Sequence, residues 1–238
     1  MIKKSFIFLE KISNKKEQNI WREGVIYWSD FLKKETIKGI AKEKKNYYNR
    51  RIKEAQQALL KNDSSFFINK LPAKEMWRLY GYFREETCFL DLEVDSYGKI
   101  ILVGISDYYN SNFFLKNVNL DKSLIEKEIN KYKLIVTFNG SSFDLPKLKK
   151  QMNIQIDLPH VDLKPLCVNL GLKGGLKEIE RKLNLKRPQH LKGSPVGLWK
   201  SFHASGDKEY LDLLIEYNKE DIENLKGVID KVYELLKI

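Results

Sequence analysis

Two acidic residues stand two positions apart inside an apolar segment: Asp91 and Glu93, within residues 88–94. Alternation along a β-strand would place both side chains on one face of a sheet, with Leu90 and Leu92 on the other. Two like charges side by side are unfavourable unless a cation lies between them, so the pair is a candidate metal site. The alternative is a sheet edge that exposes two acids to water.

A third carboxylate, that of Asp144, follows a β-branched segment, residues 134–138, and a polar turn, residues 139–142. In α/β sheets, functional residues gather where strands end and helices begin, which makes Asp144 a further candidate ligand. A role as a helix N-cap is the alternative, and that role is compatible with binding an ion.

A tyrosine and another aspartate lie near the C-terminus. Tyr217 and Asp221 are four residues apart in a strongly amphipathic segment, residues 210–236, so they share one face of the predicted helix. Taken alone, they are better explained as polar residues that flank an ordinary amphipathic helix. Their combination with the other acids is what points to a site.

The elements that must position these residues differ between two parts of the chain. Hydrophobic periodicity predicts helices over residues 17–31 with a break at Gly24, over 42–60 and over 72–80. From residue 87 it predicts strands over 88–94, 99–106, 112–115 and 134–138, and helices over 121–131, 143–151, 176–183 and 210–236. We therefore expect an α-helical region, residues 1–86, followed by an α/β domain with a mixed sheet, residues 87–238.

Composition excludes several classes of protein. The chain has 238 residues, 42% hydrophobic and 32% charged, which excludes collagen-like, low-complexity and mostly disordered chains. No apolar run approaches the ~18 residues that span a bilayer, and residues 5–9 are too short for a signal peptide, so we expect a cytoplasmic protein with no membrane partner. Cys88 and Cys167 lack metal-ligand spacing and are expected to be reduced core thiols.

The net charge of +11 is concentrated in the N-terminal part. Residues 1–86 hold 20 Lys and Arg against 11 Asp and Glu, a balance of +9, whereas residues 87–238 hold 23 against 21, a balance of +2. This asymmetry favours attraction to a polyanion such as nucleic acid. A lysine-rich solvated surface is the alternative.

The motifs in their order resemble a known family. D-x-E on a strand, N-x-x-x-F-D after a later strand and Y-x-x-x-D on a C-terminal helix resemble the three motifs of the DEDD exonuclease superfamily, in its tyrosine variant. Further segments are similar to the YprB-like branch: residues 162–166 and 175–180, Gly206-Asp207, Tyr217-Asn218, Trp21, Gly24, Trp28 and Trp77-Arg78. The resemblance covers nearly the whole chain, and it implies a ribonuclease-H-like fold, a mixed sheet flanked by helices, with 3′–5′ exonuclease activity.

The same resemblance implies a role for each motif residue. Asp91, Glu93 and Asp221 would hold a metal ion beside the nucleophile, and Asp91 would bridge to a second ion held by Asp144. Hard ions such as Mg²⁺ or Mn²⁺ prefer carboxylate oxygens, and two of them can activate water and stabilise the leaving oxygen. Tyr217 would orient the attacking water.

Contacts with a substrate, single-stranded DNA or RNA, are also expected from the motifs. Asn139 and Phe143 would lie beside the cleft, where an aromatic ring can stack on a base, although Phe143 is equally well explained as a core residue. Asp162 is expected to cap the next helix rather than bind metal. The three histidines are predicted in loops outside the catalytic motifs: His160, His190 and His203.

Residues 9–13, followed by a helix, loosely resemble a helix-hairpin-helix, whose glycine-rich turn binds phosphate through backbone N–H groups. Lys11 and Ser13 stand where that motif prefers glycine, and positive charge would partly compensate. We expect this region to bind nucleic acid or to pack on the catalytic domain.

The sequence therefore predicts a metal-dependent 3′–5′ exonuclease. A structure-selective endonuclease with the same site is one alternative, because an open cleft permits internal cleavage. An inactive nucleic-acid-binding module is another, but all four acids and the tyrosine are present. A lysine-rich scaffold would require three ordered motifs to arise by chance.

Overall fold

The computed structural model describes residues 1–188 and 193–237, so the predicted loop position of His190 lies outside the described residues. The chain forms two compact units, Met1–Arg84 and Glu85–Ile238. None of the helices in the described ranges combines the length and the apolar character needed to cross a membrane.

The first unit is helical. Its α-helices are α1 (Asn14–Arg22), α2 (Trp28–Lys33) and α3 (Lys42–Leu60), and a 3₁₀ helix covers Ala73–Leu79. The predicted break at Gly24 is confirmed, because this residue adopts a φ of +79°, a conformation that glycine reaches without steric cost. Large apolar side chains from these elements form the core: Phe6, Ile20, Trp28, Phe31, Tyr48, Ile52 and Phe67.

The turn at residues 9–13 places Lys11 at a φ of +62°, where the helix-hairpin-helix pattern prefers glycine. Ser13 is the N-cap of α1 and accepts a hydrogen bond from the Lys16 N–H. The helix that precedes this turn is a short 3₁₀ helix, Ile2–Lys4. Binding of nucleic acid by this turn stays a prediction.

The second unit is built on a five-stranded mixed sheet in the order β3-β2-β1-β4-β5. The strands are β1 (Thr87–Val94), β2 (Ile100–Ser106), β3 (Ser111–Leu115), β4 (Leu134–Thr137) and β5 (His160–Asp162). The strand β1 is central, antiparallel to β2 and parallel to β4. The helices are α4 (Lys122–Ile129), α5 (Asp144–Met152), α6 (Leu163–Asn169), α7 (Leu176–Lys182), α8 (Pro195–Ser205) and α9 (Glu209–Leu236). The predicted mixed sheet, flanked by helices and preceded by a helical region, is confirmed.

Two histidine predictions are wrong. His160 begins β5, where it hydrogen-bonds the Thr137 hydroxyl at 2.8 Å, and His203 lies in α8 rather than in a loop. The strand β5 has only three residues, too few to show alternation, and its pairing with β4 decides its structure. Cys88 and Cys167 are buried free thiols, as predicted.

The two faces of the sheet have different coverings. Leu90 and Leu92 pack with apolar residues of α4 and α5, including Ile125 and Leu148. The opposite face carries Asp91 and Glu93, as alternation predicts, and α8 and α9 pack on that face around Leu102, Trp199 and Leu214. The sheet therefore directs its acidic pair toward the C-terminal helices.

Candidate metal centre

Three carboxylates converge where α9 crosses β1. Asp91 and Glu93 come from the central strand and Asp221 from the helix, and one carboxylate oxygen of each lies within 4.8 Å of the others. This spacing suits three ligands of one ion, since oxygen ligands sit at 2.0–2.6 Å from Mg²⁺ or Ca²⁺ in proteins.

Asp144 lies beside this group but outside it. It is the first residue of α5, and its Oδ1 accepts a hydrogen bond from the Leu92 N–H at 3.2 Å. Its charge is close enough to raise the pKa of both Asp91 and Glu93. The structure thus brings all four predicted acids into one neighbourhood, with Asp144 attached to the backbone of β1.

Burial and mutual repulsion oppose ionisation of these carboxyls. Burial raises the pKa of Asp91 well above its usual range, and the charges of Glu93, Asp144 and Asp221 raise it further. Burial is also the largest cause that raises the pKa of Glu93 to about 8 and that of Asp144 to about 7. A divalent cation would reverse this effect, because an adjacent positive charge favours the ionised forms.

An arginine that sequence analysis missed pairs with the cluster. Arg187 donates two hydrogen bonds to the buried Glu180, from Nε at 3.0 Å and from Nη2 at 2.8 Å, and Nη2 also donates to Asp221. Burial raises the pKa of Asp221, and the Arg187 guanidinium acts against this. Arg187 follows α7 among other basic residues, so the sequence carries no signal that singles it out.

Asn218 supports the central carboxylate. Its Nδ2 donates to Asp91 Oδ2 at 2.8 Å, and the side chain is fully buried. Its Oδ1 lies over Gly104, the residue of β2 that pairs with Asp91 of β1. A Cβ atom at Gly104 would collide with that oxygen. The sequence assigned Asn218 no such role, since Tyr217-Asn218 entered only as part of the family resemblance.

Tyr217 stands one turn before Asp221 on α9 and is mostly buried. The Lys177 Nζ lies 4.5 Å from the centre of its ring, and the Arg187 guanidinium carbon lies 5.7 Å from it. Burial raises the pKa of the tyrosine hydroxyl, and a hydrogen bond with Lys177 acts against that. The group is therefore a neutral phenol at physiological pH, able to donate a hydrogen bond.

A family model of the RNase_H superfamily matches residues 88–233, the part of the chain that contains this site. The chain belongs to this superfamily. No curated protein matches the chain in sequence. Membership indicates a nuclease-type hydrolase whose substrate is nucleic acid.

Nucleases of the RNase_H superfamily generally use divalent metal ions, and the described residues fit such a cofactor. The donor set consists of carboxylates, with no histidine or cysteine among the three that converge. Oxygen-only ligation suits a hard cation. Burial and the neighbouring acids raise the pKa of Asp91 and of Glu93, and a bound cation would favour their ionised forms.

The predicted substrate residues lie at the turn between β4 and α5. Asn139 adopts a φ of +68°, and its N–H donates to Asp162 Oδ1 at 2.7 Å. Phe143 is partly exposed rather than part of the core, and the Lys147 Nζ lies 4.9 Å from its ring centre. Asp162 also accepts from the Lys164 N–H and so caps α6, as predicted.

Proposed function

We propose that this member of the RNase_H superfamily is a 3′–5′ exonuclease of the tyrosine-type DEDD family, in its YprB-like branch, acting on single-stranded DNA or RNA. One observation carries the proposal: the carboxylates of Asp91, Glu93 and Asp221 converge within 4.8 Å, with Tyr217 one helical turn from Asp221. Strand β1 and helix α9 would thus supply the ligands of one metal ion and a hydrogen-bond donor together.

The carboxylates have separate roles in this proposal. Asp91, Glu93 and Asp221 would hold one Mg²⁺ or Mn²⁺ ion, and Asp144 with Asp91 would hold a second. Two such ions, when bound, lower the pKa of water and stabilise the charge on the scissile phosphate. Arg187 keeps Asp221 oriented through its hydrogen bonds to Glu180.

Tyr217 would orient the attacking water. A neutral phenol is a poor base, but its O–H group and its oxygen can both hydrogen-bond a water molecule. Its raised pKa supports this positional role over proton abstraction. Phe143, exposed at the start of α5, would stack on the base at the strand end, with Asn139 in the same turn.

The test uses single strands labelled at either end. With Mn²⁺, a 5′-labelled DNA or RNA strand should shorten stepwise, and a 3′-labelled strand should release labelled mononucleotide at once. A strand blocked at its 3′ end should resist cleavage. Asp91→Asn keeps the side-chain volume but removes a ligand charge, so it should abolish cleavage.

A matched control is Asp212→Asn, an exposed acid on the same helix as Asp221, which should cleave at the normal rate. Cleavage of a circular single strand would instead indicate an endonuclease. Binding without any cleavage in Mg²⁺ or Mn²⁺ would indicate an inactive binding module.

A further inference from the structure

The helical first unit contains a pocket of about 430 Å³, within the size range of small-ligand sites. It is lined by residues from four segments of that unit, among them Lys3, Tyr27, Gln56, Gln57, Leu60 and Tyr82. None of these residues belongs to the metal centre or to the turn at residues 9–13. The pocket therefore has no role in the proposed catalytic reaction.

Two tyrosine rings in this pocket remain exposed, unlike the aromatic core of the unit. Tyr27 is 46% exposed and Tyr82 is 38% exposed. The Tyr82 hydroxyl donates to the Leu59 carbonyl at 3.0 Å, which holds that ring in place. The backbone N–H of Tyr27 donates to Asp30 at 2.8 Å, which fixes the backbone that carries the second ring. The fixed ring of Tyr82 offers a flat surface for stacking with little loss of conformational entropy on binding, and Tyr27 offers a second exposed ring face.

Cations accompany both rings. The Lys3 Nζ lies 5.2 Å from the ring centre of Tyr82, and the Lys4 Nζ lies 5.2 Å from that of Tyr27. No acidic residue occurs among the described residues that line the pocket. Aromatic faces, ammonium groups and the amides of Gln56 and Gln57 together suit a ligand that is planar, polar at its edge and anionic.

We propose that this pocket binds one nucleotide of a single-stranded nucleic acid. Its base stacks on Tyr27 or Tyr82, its phosphate lies against Lys3 and Lys4, and the glutamine amides hydrogen-bond the base edge. Every base has an aromatic face, so stacking of this kind tolerates any sequence. The choice of nucleic acid as the ligand rests on the proposed nuclease function, and on the +9 charge balance of residues 1–86.

The test measures binding of the full chain to fluorescent oligo-dT and oligo-rU by anisotropy, with EDTA present so that no cleavage occurs. Tyr27→Ala should weaken binding about fivefold or more, the effect of losing one stacked base. Leu60→Glu, at a position 77% exposed, should weaken binding by charge repulsion without disturbing the core.

Two controls match these changes outside the pocket. Tyr97→Ala removes a tyrosine that is 88% exposed in the second unit, and Leu124→Glu adds a charge on the exposed face of α4. Both should keep the dissociation constant within about twofold of the original chain. A strand that carries 4-thiothymidine should crosslink to Tyr27 or Tyr82, as mapped by mass spectrometry.

The outcomes separate this proposal from the nuclease proposal. If Tyr27→Ala and Leu60→Glu bind as tightly as the controls, the pocket does not hold a nucleotide, even where cleavage proceeds normally. If both variants weaken binding but Mn²⁺ produces no cleavage, the pocket proposal stands and the nuclease proposal fails. Absence of binding by the original chain would overturn the pocket proposal.

Discussion

At the scale of single residues, the acidic site depends on neighbours that neutralise or support each carboxylate. Asp221 is paired with Arg187, and Asp91 accepts from Asn218. The positive charge of Lys177 lowers the pKa of Glu93 and so partly offsets the increase that burial causes. The chain thus stabilises a group of like charges with contacts from residues that are not among the predicted ligands: Arg187, Asn218 and Lys177.

Arg187→Gln should lower the free energy of unfolding by about 3 kcal/mol, because it leaves the buried Glu180 without its partner. Chemical denaturation in EDTA measures this loss. The double variant with Glu180→Gln should regain part of the stability, since residue 180 then carries no buried charge that needs a partner. The recovery should be incomplete, because Asp221 still lacks the guanidinium. A single variant as stable as the original chain would contradict the pairing.

Tyr217→Phe should reduce the rate of cleavage by about 10²-fold to 10⁴-fold, the range for a positioned acid–base group. The ring and its packing remain, so the increase in melting temperature caused by Mn²⁺ should persist. Asp91→Asn should lose both cleavage and most of that increase. A Tyr217→Phe chain that no longer responds to Mn²⁺ would mean that the hydroxyl belongs to the metal site itself.

At the scale of elements, one short turn positions both Phe143 and Asp144. Asp162, at the end of β5, accepts hydrogen bonds from the Asn139 and Ser141 N–H groups of this turn and also caps α6. The turn is therefore attached to the neighbouring strand rather than left as a free loop.

Asp162→Ala should destabilise the chain by about 1–2 kcal/mol, the usual cost of a lost cap, and should also weaken stabilisation by Mn²⁺ because Asp144 loses its support. Asp121→Ala is the matched control. Asp121 caps α4 through Ser123 and Leu124, so its loss should destabilise the chain without altering the response to Mn²⁺. Equal responses to Mn²⁺ in both variants would contradict a role for Asp162 at the site.

The sequence predicted those elements whose side chains repeat with a clear period. Alternation identified β1, and a long amphipathic stripe identified α9, so both carriers of the acidic group were predictable. The strand β5 was not predictable, because it forms by pairing with β4. The helix α8, which begins at Pro195 after its N-cap Ser194, was not predictable either, because its apolar residues show little periodicity. Arg187 was not predictable, because its partners Glu180 and Asp221 meet it only in the folded chain.

At the scale of the whole molecule, the two units have different electrostatic characters. The first carries most of the net charge, and its buried Arg78 pairs with Glu17 at 3.0 Å and with Glu75 at 2.7 Å. The second concentrates partly buried acids in one place. Ionisation of that acidic group should therefore dominate how the stability of the chain depends on pH.

We expect the melting temperature in EDTA to fall as the pH rises from about 5 to 8. Folding raises the pKa of Glu93 to about 8 and of Asp144 to about 7, so the folded state binds protons that the unfolded state has already lost. The stability from these groups is complete below their unfolded pKa values and disappears as the pH passes through the folded ones. Thermal scans across this range measure the effect.

Mn²⁺ should remove most of this decline, since it binds the ionised carboxylates and its stabilisation grows with pH. Glu93→Gln should flatten the pH dependence above pH 7 in EDTA. A melting temperature that rises with pH over the same range would show that these carboxyls are ionised without a cation.

The contact between Gly104 and Asn218 has a consequence for related chains. The Asn218 amide occupies the volume that a side chain on residue 104 would need, so even the single methyl group of an alanine would overlap its oxygen. The same methyl group would lie 2.6 Å from Ile222 Cδ1. A relative that replaces this glycine must therefore also replace the asparagine and make room at Ile222, or move the helix that carries both. The two positions, distant along the chain, should covary among descendants of a common ancestor. A descendant that keeps both Gly104 and Asn218 would be one that still supports Asp91 in this way.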